Sequence, residues 1–195
     1  MKFGYYSDKE IPESIAKDKK PISDYKTNSH GYRCPEWSPL PVGKKNVVVL
    51  GCSHTFGEGL EDGEVWVDQL YNKVDKSRLR FWNLGQPGAS PDKVVRILYG
   101  CEKLIDPRII IVCWPFWSRR ERLGSYPQGM MSYDEKLKHE DEHTDKHNFL
   151  KNVFFVEKYA EKNNCTTFHC FAQDSYHEHI PELNVLENYT IKNCW

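Results

Sequence analysis

The sequence lacks an excess of charge of either sign, and it lacks any long apolar run. Its 195 residues contain 27 lysines and arginines against 28 aspartates and glutamates, for a formal net charge of -1. A charge this close to zero gives no electrostatic basis for binding nucleic acid or an anionic membrane surface. No apolar stretch approaches the roughly 18–20 residues that a membrane-spanning helix needs, so no membrane span is expected.

The chain also lacks the marks of a disulfide framework. Its 7 cysteines are odd in number, and no two of them are spaced as Cys-x-x-Cys. This usage is typical of reduced thiols inside a cell. The opening residues, "MKFGYYSDKEIPES", contain no apolar segment like that of a secretory signal. Together these features predict a cytoplasmic location; they say nothing about oligomeric state.

Residues 1–45 are polar and rich in proline, which predicts an irregular N-terminal arm. From Asn46 onward, short apolar runs alternate with segments of helical periodicity, so residues 46–195 are predicted to form the folded domain. Alternation of this kind is typical of an α/β fold, in which a parallel sheet lies between two layers of helices. The predicted strands are 46–50, 79–84, 108–114 and 165–173, and the predicted helices are 64–74, 90–105 and 148–164.

Binding sites in such sheets form where the carboxyl ends of the strands meet, which draws attention to the loops at that edge. The first loop, "GCSHTFGEG", places Ser53 directly after a strand. A serine there can act as a nucleophile if a base and oxyanion donors lie nearby. The same position also suits a helix N-cap or a turn serine, and the loop taken alone favours that structural interpretation.

Two further loops leave the same edge. "NLGQPGAS" contains Gly88, whose N–H could point into a site, although the segment also fits a tight turn before a helix capped by Ser90. "CWPFWSRRER" places tryptophans and arginines after the third strand. These side chains fit a substrate wall with a cationic clamp, or equally a turn packed beneath the arm with solvated arginines.

The fourth loop, "QDSYHEHI", spaces Asp174 and His177 as Asp-x-x-His. A carboxylate at this spacing can hold the imidazole Nδ1–H while Nε2 faces a nucleophile, but a plain polar loop also fits. Earlier in the chain, three other histidines have helical i, i+4 spacing and could bind zinc. Their setting is so polar that a solvated helix face is favoured and no metal site is expected: His139, His143 and His147.

Taken together, the loops resemble the SGNH hydrolases, also called the GDSL esterase/lipase superfamily. "VVVLGCSHTFGEGL" is similar to the family's first block, a strand followed by Gly-Asp-Ser. "NLGQPGAS" is similar to the second block, in which an asparagine precedes the oxyanion glycine by five residues. "TNSHGYRCPEW" resembles a segment that precedes the first block in many bacterial and phage members. The resemblance extends over about residues 27–173.

The resemblance implies a flavodoxin-like three-layer α/β/α domain that hydrolyses an acyl ester or transfers its acyl group, without a metal or organic cofactor. It assigns Ser53 as the nucleophile and as one oxyanion donor, and Gly88 as the second donor. It assigns Asp174 and His177 as the pair that supplies the base. The implied substrate is a small-molecule or carbohydrate-linked ester.

The chain departs from the family pattern in three ways. Cys52 replaces the aspartate before the serine, and no asparagine follows the third strand, which leaves three alternative donors or substrate contacts: Trp114, Ser118 and Arg119. The Asp-x-x-His also follows the fourth strand directly, so the domain is either shortened or lacks its final C-terminal segment. These departures support a second hypothesis, a catalytically inactive SGNH-like module that binds a glycan or a protein through its aromatic rim.

Overall fold

The computed structural model describes residues 25–38, 43–121, 141–172 and 180. Within these residues, strands and helices alternate along the chain as the sequence predicted. We number them in chain order as β1 (Lys45–Gly51), α1 (Ser53–Phe56), α2 (Trp66–Lys73), β2 (Leu79–Asn83), α3 (Pro91–Ile105), β3 (Pro107–Trp114), α4 (Glu142–Asn163) and β4 (Thr166–Phe171).

The four strands form one sheet in the order β2-β1-β3-β4, and every pairing is parallel. In the middle of the sheet, Val48 of β1 lies beside Trp82 of β2 and Ile110 of β3. The prediction of a parallel sheet is therefore confirmed. Because β1 lies between β2 and β3, the loops that follow those two strands flank the loop that follows β1.

Alternate residues of the strands face two separate cores. Val48 and Leu50 point to the face covered by α3 and α4, where they pack with residues such as Ile97 and Val156. Val47 and Val49 point to the opposite face, where Val67 and Leu70 of α2 cover them. Helices on both faces of the sheet confirm the three-layer α/β/α architecture.

Helix α4 begins earlier than the sequence predicted. The apolar periodicity indicated a start at Asn148, whereas the helix begins at Glu142. Asp141 is the reason, since its side chain accepts a hydrogen bond from the Thr144 N–H at 2.7 Å. Glu142 and Asp145 then lie in the first turn, where negative charge is favourable. The capping signal is polar and therefore lies outside the apolar pattern that sets the predicted start.

Residues 25–38 of the arm contain turns and neither helix nor strand. They nevertheless contribute to the core, because Tyr32 is buried among the residues of α3 and α4. Burial raises the pKa of this phenol well above its usual range. In the part of the chain described above, no helix combines the length and apolarity that crossing a membrane requires.

Candidate active site

Ser53 lies just after the carboxyl end of β1, one of the two inner strands, and is the first residue of α1. The turn that leads to it is tight, since the Cys52 carbonyl accepts hydrogen bonds from Thr55 N and Phe56 N at 3.0 and 2.9 Å. Gly51 is required for this turn. A Cβ at that position would lie 2.7 Å from the Cys113 carbonyl oxygen and would collide with the Thr55 hydroxyl. The turn lifts Ser53 out of the sheet and leaves it half-buried.

The loop after β2 packs directly against α1. Asn83, at the end of β2, donates its side-chain N–H to the Thr55 carbonyl at 2.8 Å and accepts from Gly85 N at 3.0 Å. A Cβ on Gly85 would lie 2.5 Å from the Phe56 nitrogen, so only glycine permits this approach. The asparagine of the second block therefore joins the two loops rather than facing open solvent.

Gly88 follows three residues later, with a φ of 69° that favours glycine. The turn around it is closed by a hydrogen bond from Ala89 N to the Gln86 carbonyl at 3.1 Å. Gly88 and Ser53 are both half-buried. Neither backbone N–H is donated to an acceptor among the described residues. For Ser53 this is expected, because the first N–H groups of a helix have no intrahelical partner.

Trp114 occupies the core and not the rim. Its indole N–H donates to His169 Nδ1 at 2.8 Å, and His169 Nε2 lies 2.7 Å from Glu157 Oε1. Trp114 and His169 are fully buried. The indole N–H is thus already engaged, and we drop Trp114 as a candidate donor to the oxyanion. Burial alone would raise the pKa of Glu157, but the hydrogen bonds from His169 and Thr167 lower it overall.

Ser118 and Arg119 lie in the loop after β3, in a turn closed by Arg119 N donating to the Phe116 carbonyl at 3.0 Å. Both side chains are half-buried. The Arg119 guanidinium lies over the Phe116 ring, 4.9 Å from its centroid. Its Nη1 is 3.5 Å from the carbonyl oxygen of Ala89, the residue after Gly88. Arg119 therefore links the loops on either side of Ser53.

Cys52 and His54 interact with each other across Ser53. Cys52 Sγ lies 3.8 Å from His54 Nδ1, so the imidazole is turned toward the thiol. Burial would raise the pKa of the Cys52 thiol, but its hydrogen bonds with His54 and the charge of Arg119 lower it overall. The same hydrogen bond raises the pKa of His54, although partial burial acts against it. The contact with Cys52 thus helps to orient the His54 ring.

The fold can be compared with solved structures. TesA superposes with a TM-score of 0.50 at 12% sequence identity, covering 74% of this chain and 71% of TesA. The chain shares the fold of TesA. The esterase EstA from Pseudoalteromonas sp. gives a TM-score of 0.48 at 13% identity over 76% of both chains. AlinE4, an SGNH-hydrolase family esterase, superposes with a TM-score of 0.48 at 14% sequence identity. The match covers 75% of this chain and 72% of AlinE4.

Sequence comparison adds nothing to this likeness. No family model matches the chain, and no curated protein matches it. At identities this low, the structural likeness establishes the fold alone, and the roles of individual residues rest on their own geometry. The fold expected from the sequence motifs is confirmed.

Several residues that the SGNH resemblance or the histidine spacing singled out lie outside the described residues. They are Asp174, His177 and His139, and their roles stay predictions. His143 and His147 lie in the first turns of α4, with ring centroids 4.1 Å apart. Among the described residues, no group of three or more potential ligands is arranged to hold a metal ion.

Arg33, in the arm, holds the loop that follows the helix beginning at Ser53, a role that the sequence motifs did not predict. Its guanidinium donates to the carbonyls of Gly57 and Leu60, both at 2.8 Å, and to Asp62 at 2.9 Å. These carbonyls belong to the loop that follows α1. The segment "NSHGYR" drew attention to this arginine. The carbonyls that Arg33 contacts lie more than 20 residues away in the chain, so the segment alone does not predict them.

Proposed function

We propose that the protein is a serine esterase or acyltransferase acting on a small-molecule or carbohydrate-linked ester. Ser53 is the nucleophile, and the oxyanion is stabilised by the N–H groups of Ser53 and Gly88. His177 is the general base, and Asp174 orients its ring. The observation that carries the proposal is the position of Ser53 at the carboxyl end of β1, between the loops that carry Gly88 and Arg119.

The chemistry follows from these roles. The Ser53 oxygen attacks the ester carbonyl carbon while its proton passes to His177 Nε2. The resulting oxyanion accepts hydrogen bonds from the two N–H groups, and its collapse expels the alcohol, which takes the proton from His177. Water, or a second alcohol in a transferase, then attacks the acyl-serine while its proton passes to His177. Collapse of this second oxyanion expels the Ser53 oxygen, which takes the proton from His177 and regenerates the hydroxyl.

The backbone supports two oxyanion donors and leaves a third unassigned. Ser53 N–H and Gly88 N–H make no hydrogen bond to other described residues, and both loops are held in place by the contacts of Asn83. With Trp114 engaged in the core, Ser118 and Arg119 are the two remaining candidates from the loop after β3. Loss of one donor typically costs about 3–4 kcal/mol of transition-state stabilisation, so we expect slow turnover.

The nucleophile is tested with an activated ester and a covalent probe. We expect a fluorophosphonate to label the wild-type protein at Ser53, and 4-nitrophenyl acetate to be hydrolysed. Ser53→Ala should abolish both signals, because the attacking oxygen is removed. Ser77→Ala is the matched control, since Ser77 is exposed and hydrogen-bonded to Asp75 at the amino end of β2. Undiminished turnover in Ser53→Ala would refute the assignment.

A second function, binding of a glycan or a protein without catalysis, is favoured by the half-buried aromatic residues Phe116 and Trp117 beside the site. With Trp114 in the core, these two side chains form the described part of the aromatic rim. A folded wild-type protein that neither reacts with the probe nor hydrolyses the ester would support this alternative. Retained ligand binding in Ser53→Ala, lost in Trp117→Ala, would then identify the rim as the binding surface.

A further inference from the structure

Arg119 is placed to contact whatever ester Ser53 attacks. Arg119 lies in the loop after β3, and its Nη1 is 3.5 Å from the Ala89 carbonyl oxygen in the loop after β2. These two loops flank Ser53. The positive charge of Arg119 also reaches the residues on both sides of the serine, where it disfavours the protonated forms of Cys52 and His54. Arg119 is half-buried, so part of its surface is open to a bound group.

Among the described residues Arg119 has no carboxylate partner, in contrast to its neighbours. Arg96 is paired with Glu121 at 2.5 Å, and Arg120 is paired with Asp145 at 2.8 Å. Arg119 has a long hydrogen bond to a neutral carbonyl and rests on the Phe116 ring, and no described carboxylate pairs with it. The described residues thus supply no anion for this cation in the loop beside Ser53, which leaves it open to a charged group on the substrate.

We propose that Arg119 binds a carboxylate carried by the substrate, so that Ser53 acts preferentially on anionic esters. This inference rests on the proposed esterase function and adds a substrate class to it. A planar guanidinium matches the two oxygens of a carboxylate. A guanidinium can also pair with two phosphate oxygens. A phosphate monoester, however, carries up to about two charges and three acceptor oxygens, so a single arginine leaves part of it unpaired. The overall charge of -1 gives no long-range attraction, so the preference arises locally.

The test compares two esters of the same size, 4-acetoxybenzoate and the neutral 4-acetoxybenzamide. We expect wild-type kcat/KM to favour the benzoate by about tenfold or more, the effect of one charge-assisted hydrogen bond. Arg119→Gln should remove this preference, mainly by raising KM for the benzoate. Arg119→Lys should keep part of it, because the charge remains and the fork is lost. Added salt should weaken the preference, since the guanidinium is partly exposed.

The matched control is Arg108→Gln. Arg108 lies near the amino end of β3, at the other end of the strand from the loop that carries Arg119. It pairs with exposed Asp106. It should leave the preference unchanged. If Arg119→Gln instead lowers kcat equally for both esters, Arg119 is an oxyanion donor and the proposal is overturned. Equal kcat/KM for both esters in the wild type also overturns it.

Binding separates failure of this inference from failure of the esterase function. The amides 4-acetamidobenzoate and 4-acetamidobenzamide keep the charge difference but replace the reactive ester, and their dissociation constants are measured by calorimetry. If neither ester is hydrolysed, tighter binding of the acetamidobenzoate that disappears in Arg119→Gln still supports a carboxylate site at Arg119. Equal or undetectable binding of both amides in that case overturns the inference together with the esterase proposal.

Discussion

The turn that carries Ser53 is supported by two segments that use arginine in different ways. In the arm, the Arg33 side chain is only 6% exposed, and its N–H groups are engaged with backbone carbonyls and Asp62. In the loop after β3, Arg120 is paired with a buried carboxylate, while Arg119 beside it has no described anionic partner. The Arg33 guanidinium is thus saturated with hydrogen bonds to described residues, and that of Arg119 is not.

The contrast distinguishes holding a site from contacting a ligand. A buried guanidinium whose donors are satisfied internally fixes the loop it touches and has little capacity left for a ligand. A half-buried guanidinium with spare donors contributes little to stability and can exchange water for a substrate group. We therefore expect the two arginines to differ sharply: substitution of Arg33 should lower stability, and substitution of Arg119 should change substrate preference.

The largest expected effect is that of Arg33→Ala. It leaves the carbonyls of Gly57 and Leu60 without their donor and removes packing against Tyr25, so we expect a loss of about 3 kcal/mol in the free energy of unfolding. Urea denaturation measures it. Arg108→Ala, which removes an exposed ion pair, should cost less than about 1 kcal/mol. Similar small losses in both variants would contradict the distinction between the two segments.

A smaller effect is expected where the loop after β3 begins. His169→Leu leaves the buried Trp114 N–H without an acceptor, which should cost about 1–3 kcal/mol. The same substitution in a Trp114→Phe background should cost less, because no donor is then stranded. Four unfolding measurements complete this double-mutant cycle. Equal costs in the two backgrounds would show that the hydrogen bond contributes nothing beyond packing.

A pH dependence of stability is expected from Lys93, beside the same loop. Burial, together with the charge of Arg96, lowers the pKa of this lysine from 10.5 to about 8. Between these values the unfolded chain holds a proton that the folded protein has released, so stability should rise as pH increases from about 8 to 10.5. Lys93→Met should abolish this rise in unfolding experiments. A variant that kept the full rise would assign it to another group.

Much of the fold could be predicted from the sequence, because the strands are short apolar runs with few competing interpretations. "NVVVL" and "IIVCW" (residues 110–114) are buried on both faces, which only the central strands of a parallel sheet require. Ser90 also caps α3 as predicted, with its hydroxyl accepting from Lys93 N at 3.2 Å. Local patterns of this kind carry their own structural information.

The contacts of individual side chains could be predicted less well. Strand alternation places Trp114 on the same face as Val112, which already indicates the core, yet its hydrogen bond to His169 joins residues 55 positions apart. The contacts of Arg33 with the loop after α1 are equally distant in sequence. Such pairs depend on how the layers pack, and composition and spacing do not determine that packing.

The order of the strands has a consequence for synthesis of the chain. Ser53 follows β1, but the strands on either side of β1 start only at Leu79 and Pro107. Gly51 pairs with Cys113, and that pairing must wait until most of the chain before α4 has left the ribosome. The nascent polypeptide therefore carries Ser53 before its site is assembled, and β1 lacks its neighbour β3 during that interval.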